Sequence, residues 1–307
     1  MSICGIFYRT IQQRRLLVQC FADVPFLSSD TVEIYPPLKF PTSCLLPFHF
    51  AAVQQEGNSK RRFSRTESGA ESKMTKVPHP YLPAHLHLPN FLENSLTVEI
   101  LLGAFGVTVA VVVVLAWNLA KRFRPDFSSL SRAKICWFAV SGIIHLVIEG
   151  YFAGYHKTLH ASDSFLAQVW KEYAKGDSRY ISSDTFTVVM ETFTCVVDGP
   201  LCLWTAWAYL KNKPYVHVLQ LLVSTAQFYG DFLYMAIEWV EGFVHGPQYH
   251  PLYFWGYFIL MNSFWLIIPG LLMLESACFI TKAVRLSGLT KVKNGPAAAK
   301  RSSHKSS

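Results

Sequence analysis

The stretch CWFAVSGIIHLVIEGYF, residues 136–152, is apolar almost throughout yet carries His145 and Glu149 near its middle. A run of this kind reads as a helix crossing a lipid bilayer, because about 20 apolar residues at about 1.5 Å each cover a hydrocarbon core of about 30 Å. An ionised side chain at that depth is costly, so an acid and an imidazole placed there face a protein interior, where they are neutral, partnered or at work. The spacing of four sets them on one helical face, one turn apart and within hydrogen-bonding reach.

The rest of the chain agrees with a membrane setting. Of 307 residues 51% are hydrophobic and only 16% charged, with a mean hydropathy of +0.24, which excludes an ordinary soluble domain. The net charge of +8 lies between apolar runs and in the carboxyl-terminal tail, a pattern of membrane orientation and not of a nucleic-acid footprint. Cys4, Cys20, Cys44, Cys136, Cys195, Cys202 and Cys278 show no CxxC and no Cys/His metal spacing. They read as packing residues, with no metal and no disulfide framework.

Five apolar segments are long enough to span: 97–117, 136–155, 185–209, 215–237 and 252–277. The expected fold is therefore all-α, a polytopic membrane protein of five transmembrane helices. Residues 1–73 hold basic clusters such as KRRFSR and no run of spanning length, and Arg9, Arg14 and Arg15 interrupt the apolar core that a signal peptide needs. They read as a disordered or non-native extension ahead of a body that opens at Met74 with MTKVPHPYLPAHLHLPNF and runs through residues 74–280. Lys121, Arg122, Arg124, Arg132 and Lys134 in the first connection, Lys211 and Lys213 in the third, and the basic tail 281–307 belong on the cytosolic side. Residues 74–96, 156–184 and 238–251, balanced or acidic, belong together on the far side.

Counting inward from the far side gives depths. Glu149, Glu191 and Asp231 each lie about six residues in, roughly 9 Å deep at helical rise, and His145 and Asn262 share the next level, with Trp265 a turn below Asn262. Glu191 and Thr194 make a further pair at helical spacing. A polar-lined chamber is the economical inference. Asn262, Thr194 and Asp231 serve equally well as interhelical hydrogen-bond formers, and the aromatic residues taken singly serve as packing. Two glutamates at one depth beside an imidazole point to proton chemistry, since a desolvated carboxyl holds a proton that a histidine can relay. A carboxylate and an indole face would also stabilise a transient cation. No dinucleotide glycine pattern, phosphate loop, zinc motif or Gly-x-Ser-x-Gly elbow occurs, so the chemistry is expected to be cofactor-free.

CWFAVSGIIHLVIEGYF, VWKEYAKGDSRYISSDTFTVVMET, YGDFLY and HPLYFWGYFILMNSFWLIIPG closely resemble the emopamil-binding protein family of sterol Δ8–Δ7 isomerases, over about residues 74 to 280. The undecapeptide WKEYAKGDSRY, residues 170–180, is long and irregular enough to be specific, although by composition alone it would be a solvated far-side loop. The resemblance implies a 3-beta-hydroxysteroid Δ8,Δ7-isomerase of the endoplasmic reticulum and nuclear envelope, acting in cholesterol biosynthesis. Such an enzyme adds a proton at C9, passes through a carbocation at C8 and removes the C7 proton. Carried over by motif, His145 and Glu149 correspond to the proton-shuttling pair, Glu191 with Trp265 to the cation-stabilising group, and Asn262 and Thr194 to pocket hydrogen-bond formers. Asp231 is placed with them as a substrate-binding residue. Which carboxyl delivers the proton and which removes it stays open. Implied partners are Δ8-sterols, lipophilic cationic amines as inhibitors and membrane lipid, with no nucleic acid; a homodimer is left open.

Two departures from the family pattern stand out. Residues 1–73 have no counterpart in it, and Asp198 is an acid where a member of the family has an apolar aromatic, just before Gly199-Pro200, a dipeptide expected to kink its helix. A structural partner and a pocket-lining group are both open for Asp198. The competing functions are a non-catalytic sterol- or amine-binding membrane protein and, less in keeping with a chain lacking repeated halves, a proton-coupled transporter.

Overall fold

A computed structural model describes residues 78–293, with side chains through residue 288. The readings of residues 1–73 and of the end of the tail lie outside the described residues. Within them the chain is helical, without strands. In order come α1 (Val98–Phe123), α2 (Ser129–Tyr155), the short α3 (Phe165–Tyr173) and α4 (Arg179–Ser182), α5 (Thr185–Leu210), α6 (Val216–Val240) and α7, which opens as Pro251–Met261 and continues as Asn262–Lys293. Ser128 caps α2 by accepting from the backbone N–H of Ser131, and Asp184 caps α5 by accepting from Thr187 at 2.9 Å.

Four of the five expected spans, α1, α2, α5 and α7, are long and apolar enough to cross a membrane. The fifth, α6, has 25 residues but buries Gln220, Ser224 and Gln227 along one side, and these polar residues lower its apolar character while its length remains sufficient. Each long helix packs on the next, α1 on α2, α2 on α5, α5 on α6 and α6 on α7. Near the cytosolic end assigned from charge, Lys134 of α2 pairs with Glu275 of α7, and Gln220 Nε2 donates to Glu275 Oε2 at 3.1 Å. Helix α7 runs on through residues 281–293, the start of the stretch read as a tail.

The three connections that charge balance grouped on one side do meet there, as a folded cap. Its centre is the undecapeptide, and here composition misleads: Trp170, Lys171, Glu172, Ala174, Asp177, Ser178, Arg179 and Tyr180 are all buried. Burial is tolerable because every charge has a partner. Arg179, 1% exposed, meets Asp177 at 2.6 Å through Nη2, donates to the Tyr234 carbonyl at 3.2 Å through Nη1 and lies 3.5 Å from Glu238. Lys171 Nζ donates to the Leu92 carbonyl at 2.7 Å, and Lys175 pairs with Glu172 at 2.6 Å. Tyr81 of the lead-in donates to the Lys171 carbonyl at 3.1 Å, while the Ser178 N–H donates to the carbonyl of His245, in the α6–α7 connection, at 2.8 Å.

The cap is closed by a backbone contact without room for a side chain. A Cβ added at Gly246 would lie 2.2 Å from the Gly176 carbonyl oxygen, an atom fixed in the opposite loop. Gly246→Ala should therefore lower the thermal unfolding midpoint, by an overpacking cost of about 1–3 kcal/mol, whereas Gly154→Ala, with nothing within 4 Å, should not. The same loop gives a pH signature. His245 Nδ1 bonds Glu238 at 2.8 Å, and that hydrogen bond holds the imidazole above its ordinary pKa of 6.5. The pairing thus adds stability fully below the ordinary value and loses it as pH rises through the raised one. Thermal midpoints measured from about pH 6 to pH 8 should fall for the parent chain and fall less for His245→Ala.

Candidate active site

Two helices approach each other unusually closely beneath the cap. In α2 the segment Ile144–Glu149, and in α5 the segment Thr194–Asp198, widen into π-helical turns, and a glycine follows each. Pro200 lacks the N–H that would close an ordinary turn, so the break expected at Gly199-Pro200 is expressed as a π turn just ahead of it. The glycines let the turns touch: a Cβ at Gly150 would lie 2.9 Å from Cys195 Sγ, and one at Gly199 would lie 2.7 Å from Leu146 Cγ. This close approach aims side chains of both turns at one point.

At that point a chain of hydrogen bonds forms. His145 Nδ1 lies 2.6 Å from Glu149 Oε2, and the Thr194 hydroxyl donates to the same oxygen. Thr194 Oγ1 is also 3.0 Å from the Glu191 carbonyl and 3.3 Å from Glu191 Oε2. From the cap, the Tyr180 hydroxyl donates to Glu191 Oε1 at 2.5 Å, its ring stacked on Trp170 at 4.5 Å between centroids. On the other side of the imidazole, Gln227 Nε2 of α6 lies 2.9 Å from His145 Nε2 and 3.3 Å from Cys202 Sγ. Both ring nitrogens of His145 are thereby engaged within the protein.

The chain borders a cavity of about 280 Å³ whose walls are largely apolar or aromatic, among them Phe105, Ile148, Trp170, Tyr173, Met261 and Trp265. All seven residues singled out in the sequence, His145, Glu149, Glu191, Thr194, Asp231, Asn262 and Trp265, line it. Asn262 Nδ2 donates to the Tyr173 hydroxyl at 3.2 Å and to the Phe258 carbonyl at 2.6 Å. The Trp265 ring stands 6.2 Å from that of His145 and 5.5 Å from that of Trp137, and its buried Nε1–H has no protein acceptor. Asp231 Oδ2 is likewise buried without a protein partner.

Asp198 is 1% exposed, does not line the cavity, and neither carboxyl oxygen has a hydrogen-bonding partner in the protein. Spacing arguments missed Gln227, Tyr173, Tyr180 and Tyr234. Gln227 had a signal: it stands one turn before Asp231 and extends the polar side of α6. The tyrosines had none beyond their place in or beside the conspicuous motifs. The site brings together carboxyls, an imidazole, a hydroxyl and an indole, a set suited to moving protons on an apolar molecule and to facing a positive charge.

Residues 165–276 match the family described as EXPERA (EXPanded EBP superfamily). The chain is similar to the rat (Rattus norvegicus) protein named 3-beta-hydroxysteroid-Delta(8),Delta(7)-isomerase, 49% identical over 207 residues that make up 67% of this chain and 90% of the rat protein. It is 37% identical, over 65% of its length and 90% of the relative's, to the rice (Oryza sativa subsp. japonica) protein named as a probable isomerase of the same specificity. It is also 34% identical to a protoglabretal synthase of Ailanthus altissima, over 70% of this chain and 98% of that protein. On these matches the chain belongs to the EXPERA family.

Proposed function

We propose that this protein is a sterol Δ8–Δ7 isomerase, which shifts the B-ring double bond by protonation at C9 and deprotonation at C7. The observation that carries the reading is the meeting of Glu149 and Glu191 across the single hydroxyl of Thr194, in a largely apolar cavity. Two carboxylates so close in a dry site repel strongly, which favours one proton held between them. Thr194 has one hydrogen to give and donates it to Glu149, so its oxygen is free to accept from a protonated Glu191.

Glu191 then acts as the acid. Delivery of its proton to C9 leaves a carboxylate facing the cation formed at C8, with the Trp265 ring on the cavity wall adding its quadrupole. Glu149, whose Oε2 is held by His145 and Thr194, takes the C7 proton on its other oxygen. Rotation of the Glu149 carboxyl brings the protonated oxygen to Thr194, which accepts that proton as it gives its own to Glu191, so the acid is restored and the cycle consumes no proton and changes no oxidation state. His145 orients Glu149 and shares its proton, passing between imidazole and an imidazolium that compensates the carboxylate's charge. Asn262 and Asp231 offer hydrogen bonds to the substrate's polar end, and a protonated lipophilic amine would occupy the cavity as a mimic of the cation.

The distribution of basic residues supports a cytosolic carboxyl tail, and the sterol chemistry supports residence in the endoplasmic reticulum and nuclear envelope. Residues 74–280 form the membrane isomerase domain in this reading.

Expressed in membranes lacking the isomerase, the protein should convert a Δ8-sterol such as zymostenol to its Δ7 isomer, measured by chromatography of extracted sterols. Amine binding without conversion would instead identify a non-catalytic binder. Glu149→Gln and Glu191→Gln should each lower turnover by about 10²–10⁴-fold, the usual contribution of a positioned acid or base, with expression retained. Near-normal rates in both variants would remove the assigned roles.

A further inference from the structure

Gln227 is 3% exposed and sits between two groups that each work in either hydrogen-bonding sense. Its Nε2 is 2.9 Å from His145 Nε2 and 3.3 Å from Cys202 Sγ, while its Oε1 has no protein partner. In this orientation the amide donates one hydrogen to a ring nitrogen that carries none and the other to the sulfur, the arrangement that suits a neutral His145 with its proton on Nδ1, directed at Glu149. Rotation of the amide by half a turn brings Oε1 into the same position. There it would accept from an Nε2–H and from the thiol S–H, because imidazolium donates from both nitrogens and a thiol is a weak donor as well as a weak acceptor. Two hydrogen bonds are made either way.

We infer that Gln227 is a positioning residue for the isomerisation, a reversible amide that keeps His145 partnered both as imidazole and as imidazolium while Glu149 exchanges protons with substrate. In an apolar interior an imidazolium N–H without an acceptor carries the full desolvation cost of a charged donor, whereas an unpaired imidazole lone pair costs less. Without the amide, His145 would be confined to its neutral state. Alone among the residues touching the imidazole nitrogens, Gln227 offers both a donor and an acceptor from one side chain, and its helix supplies no charge at that level except Asp231, one turn on. The other titratable groups around His145 are Glu149 on its own helix, Glu191, Asp198 and Cys202 on α5, Tyr234 on α6, and Glu172, Tyr173 and Tyr180 from the cap; α1 and α7 present none to the cavity beside it except Tyr257.

This inference rests on the isomerase reading, and the test separates the two. Turnover of a Δ8-sterol by the full chain in lipid vesicles is followed against pH for the parent, Gln227→Leu and Gln227→Glu. In Gln227→Leu the imidazolium loses its acceptor, so the limb of the profile that reports His145 should move to lower pH by about one unit or more; in Gln227→Glu a carboxylate that can only accept should move it to higher pH by a similar amount. Both variants should turn over at least tenfold more slowly with little change in KM, because each holds His145 in one charge state. Gln227→Met, nearly isosteric and apolar, replaces the leucine variant if that one does not fold. An activity-independent readout is the ¹⁵N titration of His145 in histidine-labelled protein, assigned by its loss in His145→Gln, which should shift in the same opposite directions. A parent chain without turnover would overturn the isomerase reading while the ¹⁵N titration still decides the role of the amide. Limbs and titrations that are unchanged, or that move the same way in both variants, would overturn the inference.

Discussion

One hydroxyl, Thr194 Oγ1, ties the acid of one helix to the acid of another, and the surrounding architecture serves that contact. Two carboxyl groups would not come together in an apolar interior unless something held them, because repulsion and desolvation act in the same direction. The holding is done by backbone shape. Adjacent π turns in α2 and α5, each followed by a glycine, bring the two chains closer than ordinary helices carrying larger side chains would lie. Replace the glycines and the added Cβ atoms would collide with Cys195 and Leu146, pushing apart the two turns that bring Glu149 to Thr194.

The second support comes from outside the spans. Tyr180 reaches down from the cap to Glu191, and the cap can supply it only because Arg179 and Asp177 neutralise each other below the surface and are fastened to the Tyr234 carbonyl. The cap is thus a folded layer whose aromatic residues form one end of the cavity. Its rigidity, through the stacked pair of Trp170 and Tyr180, fixes the phenol that fixes the carboxyl.

Much of this was legible in the sequence, and the failures have physical causes. The spans, their pairing of connections by charge and the seven cavity residues follow from apolar length, basic bias and helical spacing, properties that do not depend on neighbours. The undecapeptide did not yield, since composition reports the number of charges and not whether Arg179 has Asp177 beside it. The π turns were also hidden: a wide turn differs from a normal one by a single residue in its ladder, and depth counting at uniform rise passes over it. Gln227 escaped because an amide in a membrane helix resembles interhelical adhesive until its partner is known to be an imidazole. Asp198 stands outside the scheme, buried beside the site with no hydrogen-bonding partner in the protein.

Helix α1 carries a final consequence. It packs along α2 and leaves much of its remaining circumference bare, and Leu102, which lines the cavity, is 45% exposed. The wall between the reaction chamber and the acyl chains is there a single helix thick. A steroid dissolved in the bilayer gains little by exchanging hydrocarbon neighbours for leucine and phenylalanine ones, because lipid tails are as apolar as those side chains. Selectivity among the many flat lipids of a membrane must then be set by contour and by the handful of polar atoms, so the enzyme's effective substrate scale is mole fraction in the bilayer and not molarity in water.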